Sequence, residues 1–131
     1  MSKIKVLVVE DDPDTREMLY VKLECEGFEV QISDNGAVAS QMLEVYKPRV
    51  IVTDLKMPLL AGNKLIESVR EKREFDAIPI IVLTAFKREL LNEALLAGAT
   101  EVLEKPVGVD QLAETIKCLL KDEKYFEATI N

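Results

Sequence analysis

Short hydrophobic runs along the chain predict five β-strands. Three runs are rich in Val and Ile and do not alternate with polar residues, which is typical of strands buried on both faces of a parallel sheet. They cover residues 4–9, 50–53 and 78–83. The runs at residues 28–32 and 101–103 alternate or are very short, which favours the edges of the sheet. We therefore predict three central and two edge strands.

Helical patterns separate these strands. Asp12 is a good N-cap for a first helix over residues 13–26, with Pro13 at its first position and Gly27 just past its end. Weaker patterns cover residues 36–46, 63–73 and 87–97. The last helix has one apolar stripe, formed by Val109, Leu112, Ala113, Ile116, Leu119 and Leu120. Strict alternation of strand and helix predicts a doubly wound α/β sheet.

Length and composition indicate one domain. The chain has 131 residues, of which 48% are hydrophobic, and we assign residues 1–121 to the domain and residues 122–131 to a polar, frayed C-terminal tail. The first apolar run is too short and too soon followed by acidic residues to be a signal peptide or a membrane span, so we expect a cytoplasmic protein. Cys25 and Cys118 match no metal-binding spacing and are expected to be reduced thiols without a function.

Charge and the absence of histidine exclude several functions. The formal net charge is −7, so the phosphate backbone of a nucleic acid would be repelled, and we expect no direct nucleic-acid binding. The chain contains no histidine, which excludes a Ser-His-Asp triad, a histidine metal site and a phosphohistidine within the chain. Carboxylates, lysines and hydroxyls must therefore carry the chemistry.

Candidate functional residues follow the predicted strands. Glu10 and Asp11 follow the first strand, Asp54 follows the third, Thr84 ends the fourth and Lys105 follows the fifth. In open parallel sheets ligands bind beyond the carboxyl ends of the strands, so these residues should converge. Three crowded carboxylates need a cation, and a few oxygen ligands with open positions favour Mg²⁺, with Mn²⁺ as a substitute.

This set suits phosphoryl transfer to an aspartate. Asp54 is the candidate nucleophile toward phosphorus, while Lys105 and Thr84 supply an ammonium and a hydroxyl for the developing charge. Simpler roles exist for each residue: Glu10 or Asp11 as helix caps, Thr84 bonded to the backbone, Lys105 as a solvated charge. Their joint placement favours the site. Asp12 is left out because it is better used as the helix cap.

Four ordered motifs resemble the receiver domain of bacterial response regulators. They are VVEDDP at residues 8–13, TDLKMP at 53–58, LTA at 83–85 and KP at 105–106, and the resemblance spans residues 4–120. It implies a flavodoxin-like sheet in the order 2-1-3-4-5. It also implies that Asp54 accepts a phosphoryl group from a sensor histidine kinase or a histidine phosphotransfer protein.

The same resemblance assigns further roles. Asp11, Asp54 and the Lys56 carbonyl are expected to bind magnesium, with Glu10 acting through a metal-bound water. Thr84 is expected to move toward the phosphoryl oxygens and Lys105 to pair with them. Pro106 is expected to follow a cis peptide bond.

Three further positions bear on switching and on phosphoryl lifetime. Val102 stands where the family commonly has an aromatic residue, so an aromatic rotamer switch is in doubt. Two interpretations remain open. The valine is either an ordinary strand residue, or it indicates that signalling uses backbone and helix shifts alone. By resemblance, Lys56 and Phe86 border the path of attacking water. The apolar ring of Phe86 can exclude water, and the protonated ammonium of Lys56 cannot accept a proton from it, so we expect slow self-dephosphorylation.

These observations predict a phosphorylation-controlled switch with an unknown downstream protein partner, and not a turnover enzyme. One alternative is a receiver-like scaffold that acts without phosphorylation, but the key residues are all present. Another is a magnesium-dependent aspartyl phosphatase, which resembles a pattern with nucleophile and acid two residues apart after the first strand. In this chain Asp54 follows the third strand instead.

Overall fold

The computed structural model describes residues 3–55 and 62–130. All five predicted strands are present and parallel, in the order β2-β1-β3-β4-β5, which confirms the predicted topology. The strands are β1 (Lys5–Val9), β2 (Glu29–Ser33), β3 (Val50–Thr53), β4 (Ile80–Thr84) and β5 (Glu101–Glu104). The helices are α1 (Pro13–Cys25), α2 (Gly36–Tyr46), α3 (Gly62–Glu71), α4 (Lys87–Ala97) and α5 (Val109–Ile130). A short 3₁₀ turn, Arg73–Phe75, follows α3.

Alternate side chains of the central strands enter two separate hydrophobic cores. On one face, Val6 and Val8 of β1 pack with Leu19 of α1 and Leu112 of α5. On the other face, buried residues of β1, β3 and β4 pack against helices α2, α3 and α4. The strands contribute Leu7, Val9, Ile51, Ile80 and Val82, and the helices contribute Ala39, Leu43, Leu65, Ile66, Val69 and Ala94. Since successive strand residues point to opposite faces, a continuous apolar run supplies both cores.

The first helix begins and ends as its sequence predicts. The Asp12 carboxylate accepts a hydrogen bond from the Thr15 backbone N–H at 2.9 Å, so Asp12 is the N-cap, and Pro13 takes the first helical position. Gly27, with φ of +98°, allows the chain to turn after the helix. Leu19 and Leu23 are both buried, as expected for residues that share one face.

Two boundaries differ from the prediction. Strand β4 begins at Ile80 instead of residue 78 because Pro79 has no N–H to donate to the sheet. Helix α5 continues to Ile130, past the predicted end of the domain at residue 121, and the frayed character of the tail stays a prediction. Although the apolar period ends there, residues 121–130 contain no Gly or Pro to stop a helix. The boundary of the domain at residue 121 stays a prediction.

Arg70 forms hydrogen bonds at the end of the sheet where the strands begin. Its guanidinium donates hydrogen bonds to the carbonyl oxygens of Ile78 at 2.7 Å, Gly98 at 2.9 Å and Asp76 at 3.1 Å. These carbonyls precede β4 and β5. Arg70 therefore joins α3 to the segments that lead into both strands, at the edge opposite the candidate site.

Among the described residues, no helix combines the length and the apolar character needed to cross a membrane.

Candidate functional site

Three carboxylates meet at the carboxyl edge of the sheet. One oxygen each from Glu10, Asp11 and Asp54 lies within 4.8 Å of the others, which confirms the predicted convergence. Glu10 is buried, Asp54 is half-buried and Asp11 is exposed. The loop after β1 carries the first two residues and the end of β3 carries the third, so parallel topology brings them together.

Lys105 contributes the positive charge of the cluster. Its Nζ donates hydrogen bonds to Glu10 Oε1 at 2.5 Å and to Asp54 Oδ2 at 2.9 Å. Its side chain is 23% exposed, so these bonds are partly shielded from water. The alternative in which Lys105 is a solvated surface charge is therefore wrong.

Burial and these bonds shift two pKa values. Burial raises the pKa of the Glu10 carboxyl, and the hydrogen bond from Lys105 only partly offsets this effect. Burial also opposes the charged form of Lys105, but its hydrogen bonds to Glu10 and Asp54 outweigh burial and raise the pKa of the ammonium group. The raised pKa of Lys105 keeps its ammonium group charged beside the two carboxylates that it bonds.

The Asp54 backbone and side chain are held by neighbouring residues. The Leu55 backbone N–H donates to Asp54 Oδ1 at 2.6 Å, and the Thr53 hydroxyl donates to the Asp54 carbonyl at 2.9 Å. The Asp54 N–H donates to the Val9 carbonyl at 3.2 Å, which ties the end of β3 to β1. The side chain therefore leaves the sheet in a defined direction toward Lys105.

Gly62, which the sequence analysis missed, packs against the backbone of Asp54. A Cβ atom on Gly62 would overlap the Asp54 carbonyl oxygen and would lie 2.7 Å from the Leu55 Cα atom. The Gly62 N–H also donates to the Leu55 carbonyl at 2.9 Å. A glycine directly before a predicted helix was the available signal, but only the three-dimensional structure shows its close approach to Asp54.

Three further predicted residues, Thr84, Phe86 and Pro106, lie at or just beyond the carboxyl ends of β4 and β5. Thr84 is fully buried at the end of β4, and its Oγ1 accepts a hydrogen bond from the Phe86 N–H at 3.1 Å. Phe86 is 44% exposed and stands just before α4. The Lys105–Pro106 peptide bond is cis, as the resemblance implied. Lys56 lies outside the described residues, so its predicted carbonyl ligand stays a prediction.

Val102 belongs to the hydrophobic core beneath α4. Its side chain is 2% exposed and lies in the same cluster as Ala94 of that helix, with Leu90 and Leu91 packed against the cluster. The valine therefore occupies a core position on β5. Its effect on signalling stays a prediction.

Comparison with known proteins gives consistent matches. The family model described as the response regulator receiver domain matches residues 6–117. Response regulator MprA of Mycobacterium ulcerans is 34% identical over 124 residues, which cover 92% of this chain and 52% of MprA. The chain thus spans about half the length of that relative.

Two solved structures share the fold over most of the chain. The chemotaxis protein CheY4 of Vibrio cholerae is 29% identical, with a TM-score of 0.85 and coverage of 90% of this chain and 99% of CheY4. The receiver domain of sensor histidine kinase PA1611 of Pseudomonas aeruginosa is 25% identical, with a TM-score of 0.86 and coverage of 92% and 99%. That structure was solved with a magnesium ion coordinated in its active-site cleft.

Proposed function

Because the chain belongs to the response regulator receiver domain family of two-component systems, we propose that it is a switch controlled by phosphorylation of Asp54. One observation carries the proposal: the Asp54 carboxylate lies among two further carboxylates and the Lys105 ammonium at one edge of the sheet. Phosphoryl transfer to an aspartate requires a nucleophilic carboxylate, a cationic side chain and carboxylates that can bind a metal ion, and this site combines all three.

The donor set fits a magnesium ion. Glu10, Asp11 and Asp54 offer hard carboxylate oxygens within 4.8 Å of one another, and Lys105 only partly neutralises their charge. Asp11 and Asp54 would bind the ion directly, with the Lys56 carbonyl as a further ligand and Glu10 acting through a bound water. When bound, the ion would offset the negative charge of the phosphoryl oxygens. Manganese is a suitable substitute because it accepts the same oxygen ligands.

The reaction joins Asp54 to phosphorus. A carboxylate oxygen of Asp54 attacks the phosphorus of a phosphohistidine, and the bond from phosphorus to the imidazole nitrogen breaks. Its electron pair stays on that nitrogen, which takes up a proton as needed. The product is an aspartyl phosphate on this chain and an unmodified histidine on the donor.

Lys105 and Thr84 have the hydrogen-bonding capacity for the proposed product. The Lys105 ammonium carries three N–H donors, and two of them bond Glu10 and Asp54, which leaves capacity for a phosphoryl oxygen. The Thr84 hydroxyl accepts from the Phe86 N–H, so its own proton remains available to donate. Movement of Thr84 toward a phosphoryl oxygen would alter this bond and so transmit the change to the start of α4.

Family members receive phosphoryl groups from histidine kinases. We assign the same class of donor here, either a sensor histidine kinase or a histidine phosphotransfer protein. The response then passes to an unknown downstream protein in the cytoplasm. We further propose that the chain is not a turnover enzyme and catalyses only its own phosphorylation and dephosphorylation.

Phosphoryl stoichiometry tests this function against its two rivals. The chain would be incubated with a small acyl phosphate, with Mg²⁺ or with a chelator, while its mass and the released phosphate are measured. A switch gains one phosphoryl group only when Mg²⁺ is present. Sustained phosphate release over many turnovers would instead establish an aspartyl phosphatase, and a chain that gains no mass with any donor would establish a phosphorylation-independent scaffold.

A further inference from the structure

Arg16 bonds the loop that carries the acidic pair. It is the fourth residue of α1, and its side chain is half-buried. One nitrogen, Nη1, donates to the Glu10 carbonyl at 3.0 Å and to the Asp11 carbonyl at 3.3 Å. None of the motifs in the sequence contains this residue, and the proposed mechanism assigns it no part.

The two carbonyls belong to the peptide units on either side of Asp11. The Glu10 carbonyl lies in the unit before Asp11, and the Asp11 carbonyl lies in the unit after it. Because each peptide unit is planar, the orientations of the two units fix φ and ψ of Asp11 and hence the direction of its Cα–Cβ bond. Asp11 lies between the end of β1 and the N-cap of α1, outside both elements. A single guanidinium nitrogen therefore restrains the direction of the Asp11 side chain.

We propose that Arg16 is a positioning residue for the magnesium site. Its hydrogen bonds to the carbonyls of Glu10 and Asp11 hold the Asp11 carboxylate toward Glu10 and Asp54. This inference rests on the proposed function, because it concerns the affinity of the same site for Mg²⁺. Groups that orient metal ligands commonly alter metal affinity when they are removed, even though they do not touch the metal.

Positioning and charge have opposite effects on Mg²⁺ affinity. The guanidinium is always protonated, and a positive charge beside the site repels a divalent cation. If charge alone mattered, removal of Arg16 would strengthen Mg²⁺ binding. If Arg16 positions Asp11, its removal weakens binding, so the sign of the change separates the two effects.

The test is Mg²⁺ titration of the metal-free chain by calorimetry, with Arg16→Met as the main variant. We expect its Mg²⁺ affinity to fall by about 10-fold. Arg16→Lys keeps the positive charge and has an ammonium group that can reach one of the carbonyls. Its Mg²⁺ affinity should therefore lie between that of the unsubstituted chain and that of Arg16→Met. Arg70→Met is the matched control, because it also removes a guanidinium bonded to carbonyls but at the opposite edge of the sheet. It should melt at a lower temperature and keep the original Mg²⁺ affinity.

The outcomes separate this inference from the proposed function. An original chain that binds no Mg²⁺ would overturn both. If the original chain binds Mg²⁺ and Arg16→Met binds it equally or more tightly, the positioning role is wrong while the function stands. Equal loss of Mg²⁺ affinity in Arg16→Met and Arg70→Met would also overturn the positioning role, since removal of any half-buried guanidinium would then weaken Mg²⁺ binding. If Arg16→Met does not fold, Arg16→Gln replaces it with the same expected results.

Discussion

The Lys105 Nζ atom lies 2.9 Å from Asp54 Oδ2, although the two residues are 51 positions apart. The same ammonium lies 2.5 Å from Glu10 Oε1. One cation is thus shared by two carboxylates, with the third carboxylate of Asp11 nearby. The cluster keeps an excess of negative charge, and its stability and its cation affinity are therefore linked.

Lys105→Met should destabilise the metal-free chain. Without the ammonium, the buried Glu10 carboxylate loses its cationic partner, and the free energy of unfolding should fall by roughly 1–3 kcal/mol. Urea denaturation with a chelator measures this loss, and added Mg²⁺ should restore part of it. The control is Lys117→Met, which removes an exposed ion pair to Glu26 and should cost less than about 1 kcal/mol. Equal losses in both variants would contradict the account.

Asp11→Asn should have opposite effects on Mg²⁺ binding and on stability. It removes one of the three mutually repelling carboxylates, so the metal-free chain should melt at a higher temperature. It also removes a metal ligand, so Mg²⁺ affinity should fall. Thermal denaturation and Mg²⁺ titration measure the two effects. The control is Asp34→Asn, which removes an exposed charge outside the cluster and should change the melting temperature and the Mg²⁺ affinity less than Asp11→Asn does. A metal-free Asp11→Asn chain that melts at a lower temperature would show that the carboxylates do not destabilise one another.

Gly62→Ala should disturb Asp54. The added methyl group meets backbone atoms of Asp54 and Leu55, which cannot move aside as a flexible side chain could. We expect a loss of roughly 1–3 kcal/mol in the free energy of unfolding, together with slower phosphorylation. Gly108→Ala is the control, because a Cβ there meets nothing within 4 Å, and it should change stability by less than about 1 kcal/mol. Similar behaviour of the two variants would show that the contact is unimportant.

Much of the fold follows from local sequence patterns. Buried strands such as Val50–Thr53 are continuous apolar runs, and the cap at Asp12 follows from its place before Pro13. The convergence of Glu10, Asp54 and Lys105 was predictable because parallel strands end at the same edge of a sheet. These features depend on periodicity and topology, which a sequence displays.

Features that depend on approach in three dimensions were not predictable. Gly62 is required by a backbone contact with Asp54, and Arg16 acts through carbonyls six and five positions earlier in the chain. Neither contact leaves a periodic signal. The extension of α5 past residue 121 was missed because an apolar stripe marks where a helix packs, and a helix can continue beyond it.

Phe86→Glu should shorten the lifetime of the phosphorylated chain. Phe86 stands two positions after Thr84, and its apolar ring, 44% exposed, can exclude water from the proposed phosphoryl group. A carboxylate can instead accept a proton from attacking water. The decay of the phosphorylated form after removal of the donor measures the effect. Lys56→Asn, separately and combined with Phe86→Glu, tests the second position, and unchanged lifetimes in all three variants would contradict the shielding role.

The most direct test of the account is the location of the phosphoryl group. The chain would be phosphorylated by a phosphohistidine donor with Mg²⁺, and the modified peptide identified by mass spectrometry, for the original chain, Asp54→Asn and Asp34→Asn. Asp34 is a suitable control because it is an exposed aspartate that directly follows β2. The account predicts one phosphoryl group on Asp54 in the original chain and in Asp34→Asn, and none in Asp54→Asn. Equal labelling of Asp54→Asn, or a label on another residue of the original chain, would contradict it.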